Sequence, residues 1–263
     1  MLGVIVDEQK VIDEILNNHN MIENTSNCIN ILIKYYWLQD KNIDKLKLLY
    51  TILEDIKKCN PANFSPSKCE DSIDSRIDKF YKDLRKYGED NVKINVIDKI
   101  VITKAEVSLI ESYKDKKTQQ VMFILLVYAK ITNYLNNNDS YWLNQSLTNI
   151  MREAKVSNGD KKTEILYNLK QTQAIDNGIK INGRGIKVNY AYEESEEAIV
   201  LTDFDGIIHY WLMYKGERWK RCNECGKWIK LKTPNSNIKY CKDCARIIKL
   251  KQQREAMDKI RKK

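Results

Sequence analysis

The chain has 263 residues, enough for roughly two domains and a buried core, and carries 45 Lys/Arg against 36 Asp/Glu for a net charge of +9. Only 9 Gly and 3 Pro exclude collagen-like and low-complexity disordered classes, and abundant Lys, Asn, Ile and Leu point to a compact, mostly helical protein. No apolar run approaches the roughly 20 residues of a membrane span, and Met1 to Val6 lacks the length and basic start of a signal peptide, so a cytosolic chain is expected.

Residues 1–90 read as a helical bundle. Val4, Val11, Ile12, Ile15 and Leu16 fit a first amphipathic helix, and Cys28 to Leu38 a strongly apolar second one. Asp44 to Lys57 places Leu46, Leu48, Leu49, Ile52, Leu53 and Ile56 at helical spacing. The Asn60–Pro66 stretch breaks the chain, and Ser67 is placed to cap a helix running to about Tyr87. The aromatics fall where a core needs them, and no catalytic constellation stands out. Cys28, Cys59 and Cys69 are scattered singly and read as free buried thiols.

Residues 100–192 form the second predicted domain. Val92 to Ile97 alternates like a short strand, Ile100 to Ile102 reads as another, and Thr103-x-x-Glu106 matches a capping box that starts a helix. Lys116 to Leu135 is apolar on more than one face, as a central helix should be. After it come a short extended piece (Tyr141–Leu143), a helix capped by Asn144 or Ser146, a turn at 155–159, a helix to about Gln173 with Ser157 and Asp160 as capping candidates, and a hairpin from Ile179 to Tyr190 around Asn182-Gly183.

Helix, short strand, helix, turn, helix, hairpin is the element order of a winged helix, whose third helix usually docks in the major groove. Lys161, Lys162, Thr163, Tyr167, Asn168, Lys170 and Gln171 would then face DNA, with Lys180, Arg184 and Lys187 on the wing. Many winged helices bind only protein, and residues 1–214 are slightly acidic, so both uses stay open.

Residues 193–214 read as a linker and packing segment. Glu193, Glu194, Glu196 and Glu197 make it acidic, either as a solvated loop or as an internal competitor for basic residues. Leu201 to Gly206 reads as a turn rather than a metal-dependent acid site, and His209, among apolar neighbours, as a packed histidine.

Residues 215–263 carry 17 Lys/Arg and 5 Asp/Glu, a net +12 that leaves residues 1–214 at −3. Such concentration is the electrostatic signature of a polyanion-binding element, although a solvated helix would look the same. Within it, Cys222-x2-Cys225 and Cys241-x2-Cys244 are separated by fifteen residues. Each pair can reach one ion without strain, and two pairs complete the four-sulfur shell that zinc prefers at roughly 2.3 Å per bond. Gly226 suits the turn after the first knuckle. Trp228 to Leu231 reads as a strand, Thr233 to Asn237 as a turn, Ile238 to Tyr240 as the returning strand, and Cys241 and Cys244 open a helix. That order resembles the treble-clef zinc finger. Its four sulfurs leave no position for water, and neither His19 nor His209 lies in it, so one structural Zn2+ and no hydrolysis are expected.

Tyr214-Lys215-Gly216-Glu217, the Cys222-x-x-Cys225-Gly226 knuckle, the Tyr240-Cys241-x-x-Cys244 pair and the Lys/Gln/Arg-rich helix look like the endings of uncharacterised proteins encoded by phages and mobile elements of low-GC Gram-positive bacteria. Lys116 to Ile175 resembles the winged-helix part of such proteins, and the bundle is more loosely similar to helical modules beside phage primases and replication initiators. The resemblance implies a mobile-element setting.

The sequence thus predicts a mainly α protein with small β elements, non-enzymatic, binding nucleic acid with DNA favoured over RNA. Its phosphate contacts would be Arg218, Lys220, Arg221, Lys227, Lys230, Lys232, Arg246, Lys249, Lys251 and Arg254. The alternative is an interaction factor that grips a host or rival-element protein, such as a defence effector or replication factor.

Overall fold

The structure, a computed structural model, describes residues 6–62, 64–136, 140–143, 145–157, 159–180, 183–192, 196–233 and 237–261, with side chains for all of these except 160, 177–180, 183, 184 and 258–261. It is mainly helical with small antiparallel sheets. The chain divides into two compact units, Val4–Asp98 and Lys99–Lys263. No helix among the described residues is long and apolar enough to cross a membrane.

The first unit packs four helices, α1 (Glu8–Asn18), α2 (Thr25–Gln39), α3 (Lys45–Lys58) and α4 (Pro66–Tyr87). Side chains of Asp7, Asn24 and Asp44 accept from first-turn amides and fix where α1, α2 and α3 begin. Between them lies one apolar core, with Ile15, Ile29, Leu32, Leu48, Ile52, Ile73 and Ile77 fully buried. One start and one strand differ from the sequence reading. α4 begins at Pro66, with Ser65 rather than the expected Ser67 in the cap position, because proline has no N–H to lose and suits the first helical position. The strand expected over Val92–Ile97 shrinks to one bridge between Asp7 and Val96, since the backbone it meets passes into α1 immediately afterwards.

The second unit is built on α6 (Lys116–Asn136), in which Val121 to Ala129 are all buried. Before it come β1 (Ile100–Thr103) and α5 (Lys104–Glu111), where Thr103 and Glu106 complete the expected capping box. After it run β2 (Trp142–Leu143), α7 (Leu147–Glu153), α8 (Gly159–Gln171), β3 (Ile175–Lys180) and β4 (Gly183–Val188). Ser146 caps α7; Asn144, the Asn182 turn residue and the Asp160 side chain lie outside the described residues. The three strands form one antiparallel sheet in the order β2-β4-β3.

The segment read as a linker contributes two elements, β5 (Glu197–Leu201) and α9 (Ile208–Tyr214). β5 pairs antiparallel with β1, Ile100 opposite Leu201 and Ile102 opposite Ile199, so the chain returns to where the unit began. Glu193 and Glu194 lie outside the described residues. Last come β6 (Trp219–Arg221), β7 (Trp228–Lys230) and α10 (Lys242–Arg261).

One buried ion pair ties β1, α5 and α6 together. Glu106 is fully buried, meets the Lys130 ammonium at 2.8 Å, and accepts from the backbone N–H of Thr103 at 2.7 Å and of Tyr192 at 2.8 Å. Lys130 also donates to the Val101 carbonyl at 2.9 Å. Breaking such a pair strands a charge. Glu106→Ala is therefore expected to cost about 3–5 kcal/mol in a urea unfolding titration, with Lys130→Met in the same chain recovering part of the loss.

Candidate metal and nucleic-acid site

β6 and β7 pair as a hairpin, Trp219 with Lys230, Lys220 with Ile229 and Arg221 with Trp228, so Cys222 to Cys225 occupies the hairpin's loop. The Gly226 N–H donates to the Cys222 carbonyl at 3.0 Å, and Gly226 takes φ +68°, the left-handed value its place after the knuckle calls for. Here the sequence reading needs a correction. The expected partner for the Trp228 strand was Ile238–Tyr240, but β7 pairs with β6, and Ile238–Tyr240 form no strand. The backbone explains it: the Cys222 N–H donates to the Lys227 carbonyl at 2.9 Å, so the knuckle zips the strands flanking it, while the Lys239 carbonyl is taken by the Asn223 N–H at 3.0 Å. Pro234, Asn235 and Ser236 of the expected turn lie outside the described residues.

Cys241 immediately precedes α10 and Cys244 lies in its first turn. All four sulfurs fall within 4.8 Å of one another, and Cys225 Sγ stands 3.7 Å from Cys241 Sγ. The Cys241 N–H donates to Cys222 Sγ at 3.2 Å, and the Cys244 N–H reaches Cys241 Sγ at 3.5 Å. Donors aimed at sulfur favour the thiolate. Burial opposes ionisation of Cys222, yet backbone N–H groups of Cys225, Cys241 and Glu224 bring its thiol down to about 6. Hydrogen bonding to the Cys225 and Cys241 sulfurs, then burial, holds Cys244 well above the ordinary thiol range. A cation among the four sulfurs would offset the negative charge that thiolates bring there. The cluster can hold a metal ion, and it is the one group of three or more such ligands among the described residues.

The hairpin is seated on α9 by aromatic and charged contacts. His209 lies between two indoles, stacked on Trp228 with ring centres 4.8 Å apart and edge-on to Trp219 at 4.4 Å. Gly206 makes this possible. It has φ +71°, and a Cβ there would stand 2.8 Å from His209 Nδ1 and from Trp228. The Trp228 indole N–H donates to the Asp205 carbonyl at 2.8 Å. Over its ring at 4.2 Å sits the Arg221 guanidinium, which bonds the Asp205 carboxylate at 3.0 Å, the Asp203 carboxylate, and the Gly226 carbonyl at 2.7 Å. The 203–206 turn is thus the clamp that orients the Cys222–Cys225 knuckle. Two aspartates beside a distant arginine and two tryptophans gave no spacing pattern by which to find it.

The predicted phosphate contacts divide sharply. Arg221 is committed to Asp203 and Asp205, Lys230 meets Glu217 at 2.8 Å, and Lys227 lies 3.6 Å from Asp243. Lys220 is half-buried. Arg218, Lys232, Arg246, Lys249, Lys251 and Arg254 are exposed and have no carboxylate partner among the described residues. On α8, Lys161 meets Glu164 at 3.3 Å and Asp115 at 3.5 Å, whereas Lys162 and Lys170 meet no carboxylate among the described residues. Ile165 and Leu169 are buried, so Thr163, Tyr167, Asn168, Lys170 and Gln171 face outward together. Lys187 is half-buried opposite Trp142 and Asp176; the side chains of Lys180 and Arg184 lie outside those described.

Compared with protein-family models, curated proteins and solved structures, the chain finds no match in any of the three.

Burial holds His209 below the usual imidazole range, and the Lys155 and Arg221 cations push the same way. Its neutral form is therefore the folded one: the stability it contributes is complete above the ordinary histidine pKa of about 6.5 and is lost as pH falls through the depressed folded value. In urea titrations repeated across pH, the stability gap between wild type and His209→Phe is expected to narrow on acidification.

Proposed function

We propose that the chain is a nucleic-acid-binding protein, with DNA the favoured ligand, whose last module is a zinc finger of the treble-clef type. The observation that carries this reading is the unshared charge of the C-terminal segment. Arg218, Lys232, Arg246, Lys249, Lys251 and Arg254 are exposed with no carboxylate partner among the described residues, in a segment of net +12. Phosphates can take these cations without breaking an existing pair. Cys241 and Cys244 anchor the base of α10, so its cations would meet a polyanion already arranged, with less ordering left to be done on binding.

For the ion, we take zinc. Cys222, Cys225, Cys241 and Cys244 would hold it, and sulfurs around a tetrahedral ion at roughly 2.3 Å stand about 3.8 Å apart, close to the Cys225–Cys241 separation. A four-sulfur shell has no open coordination position, so its chemistry is that of a staple. The purified chain is expected to carry one zinc by mass spectrometry. The double variant Cys222→Ser with Cys225→Ser should lose it and open the 215–261 segment to trypsin, since such a site contributes on the order of 10 kcal/mol to its module.

The order β2, α7, α8, β3, β4 supports the winged-helix reading, with α8 as the groove helix and the β3-β4 hairpin as the wing. The outward row of Tyr167, Asn168, Lys170 and Gln171 would supply what sequence preference exists. An accessory or regulatory role for a phage or mobile element rests on the sequence resemblance, and we read the protein as a binder rather than a catalyst.

One observation favours a second reading. Ile247, Leu250 and Met257 are exposed apolar side chains on α10, a surface suited to a host or rival-element protein. Salt separates the two. If the six exposed cations touch phosphates, log K should fall with log salt at a slope of about −5, and deleting residues 243–263 should flatten it. A slope near −1 in the intact chain, or a protein partner retained at salt that strips nucleic acid, would overturn the first reading.

A further inference from the structure

The second unit has a pocket of about 680 Å³ where the α5–α6 turn, the end of α8 and the chain leaving β4 come together. Such a volume is usual for a small-ligand site. Tyr113, Tyr190 and Tyr192 all line it, and none of its described lining residues is acidic. None of the three rings stacks on another among the described residues, so their faces are not spent on each other.

Hydrogen bonds between lining residues show where several of these groups stand. The Tyr113 hydroxyl lies 2.7 Å from Thr172 Oγ1, whose own hydrogen goes to the Asn168 carbonyl at 3.0 Å. Tyr113 is therefore the donor, and its ring spans from the α5–α6 turn to the end of α8. Asn189 Nδ2 donates to the Gln173 carbonyl at 3.0 Å and to the Asp176 carboxylate at 2.9 Å. Both amide hydrogens are then used, which orients Asn189 and leaves Oδ1 as an acceptor with no partner among the described residues. Tyr190 is buried, its hydroxyl donating to the Met122 carbonyl at 2.8 Å, and so forms the floor. Tyr192 is held by its backbone: its N–H donates to Glu106 at 2.8 Å and its carbonyl accepts from Thr103 Oγ1 at 3.2 Å, while the residue stays 44% exposed. An aromatic side chain on a fixed backbone is a ready surface for stacking.

Charge narrows the choice of occupant. Lys114, also in the lining, opposes a cation. The C-terminal end of α8 is the negative pole of its helix dipole, which disfavours an anion. A neutral planar ring with polar edges satisfies both conditions.

We propose that this pocket takes one unstacked nucleobase, with Tyr192 and Tyr113 as stacking surfaces and with Asn189 and Gln173 bonding its edge. Single-stranded nucleic acid is commonly recognised in this way, by bases stacked on aromatic side chains and bonded along their edges. Gln171 of the outward row on α8 and Thr172 of the pocket are consecutive, so a strand lying along α8 would reach the pocket with one base turned in. The base comes from such a strand or from a free nucleotide; in the first case the inference rests on the nucleic-acid reading above.

The test is a calorimetric titration of the full chain at fixed salt with two single-stranded hexanucleotides of identical phosphates, one fully abasic and one carrying a single central adenine. The adenine is expected to tighten binding by about fivefold or more, the least that stacking one base on an aromatic side chain is worth. Tyr192→Ala should erase that gain and leave the affinity for the abasic strand in place, whereas Tyr192→Phe, which keeps the ring, should retain it. Gln173→Asn is the independent variant should Tyr192→Ala fold poorly. Asparagine tolerates the φ of +56° at that position, and its shorter amide should reduce the gain. Adenosine 5′-monophosphate bound as tightly as the adenine strand, or tighter, identifies a free nucleotide as the source; weaker binding identifies the strand. Equal binding of the two hexanucleotides without binding of the mononucleotide, or an adenine gain that survives Tyr192→Ala, overturns the pocket and leaves the phosphate reading standing. A chain that holds the mononucleotide but neither hexanucleotide keeps the pocket and overturns the phosphate reading.

Discussion

A module of this size cannot hold itself together by burying apolar surface. Among the described residues after Tyr214, Cys222 and Cys244 are the buried ones, and α10 exposes Ile247, Leu250 and Met257 to solvent. Order therefore has to come from a few strong, directional interactions. The four sulfurs would supply it from within once they hold an ion, and the Arg221 fork supplies it from outside by joining the knuckle's first strand to Asp203, Asp205 and the Trp228 ring. Cut from that turn, the hairpin would be a two-stranded ribbon with little to lean on.

The same arrangement sorts the basic residues into two populations. Arg221, Lys227 and Lys230 shape the module by pairing with acids of the same unit, while Arg246, Lys249, Lys251 and Arg254 on α10 meet no carboxylate among the described residues. Composition sees one crowd of positive charge; geometry separates what builds the surface from what the surface offers. Lys155 belongs to neither group. It is held by His209 and Trp219, and so links the α7–α8 turn to the β6–β7 hairpin.

Much of this was legible in the chain itself. Apolar periodicity located α1 to α4 and α6, the Thr103/Glu106 box located α5, and the doubled Cys-x-x-Cys spacing located the four-cysteine cluster, because each is a local signal with a short-range physical cause. What escaped depends on residues far apart in sequence. β5 is apolar at four successive positions, Ala198 to Leu201, so no alternation marked it as a strand, and its partner lies about a hundred residues earlier. The hairpin partner of Trp228 was misassigned for a related reason: the knuckle's own backbone bonds, invisible in residue types, decide which flank pairs with which. The α4 start and the lost strand at Val92–Ile97 are boundary effects of the same kind.

Gly206 has a consequence for how this chain can drift. The exposed lysines of α10 are interchangeable in kind, and a population of related sequences could scatter them along the helix at little cost. Position 206 has no such latitude, since any side chain there would have to share space with an imidazole and an indole at once. Divergence should therefore erode the charge pattern long before it touches that one hydrogen atom.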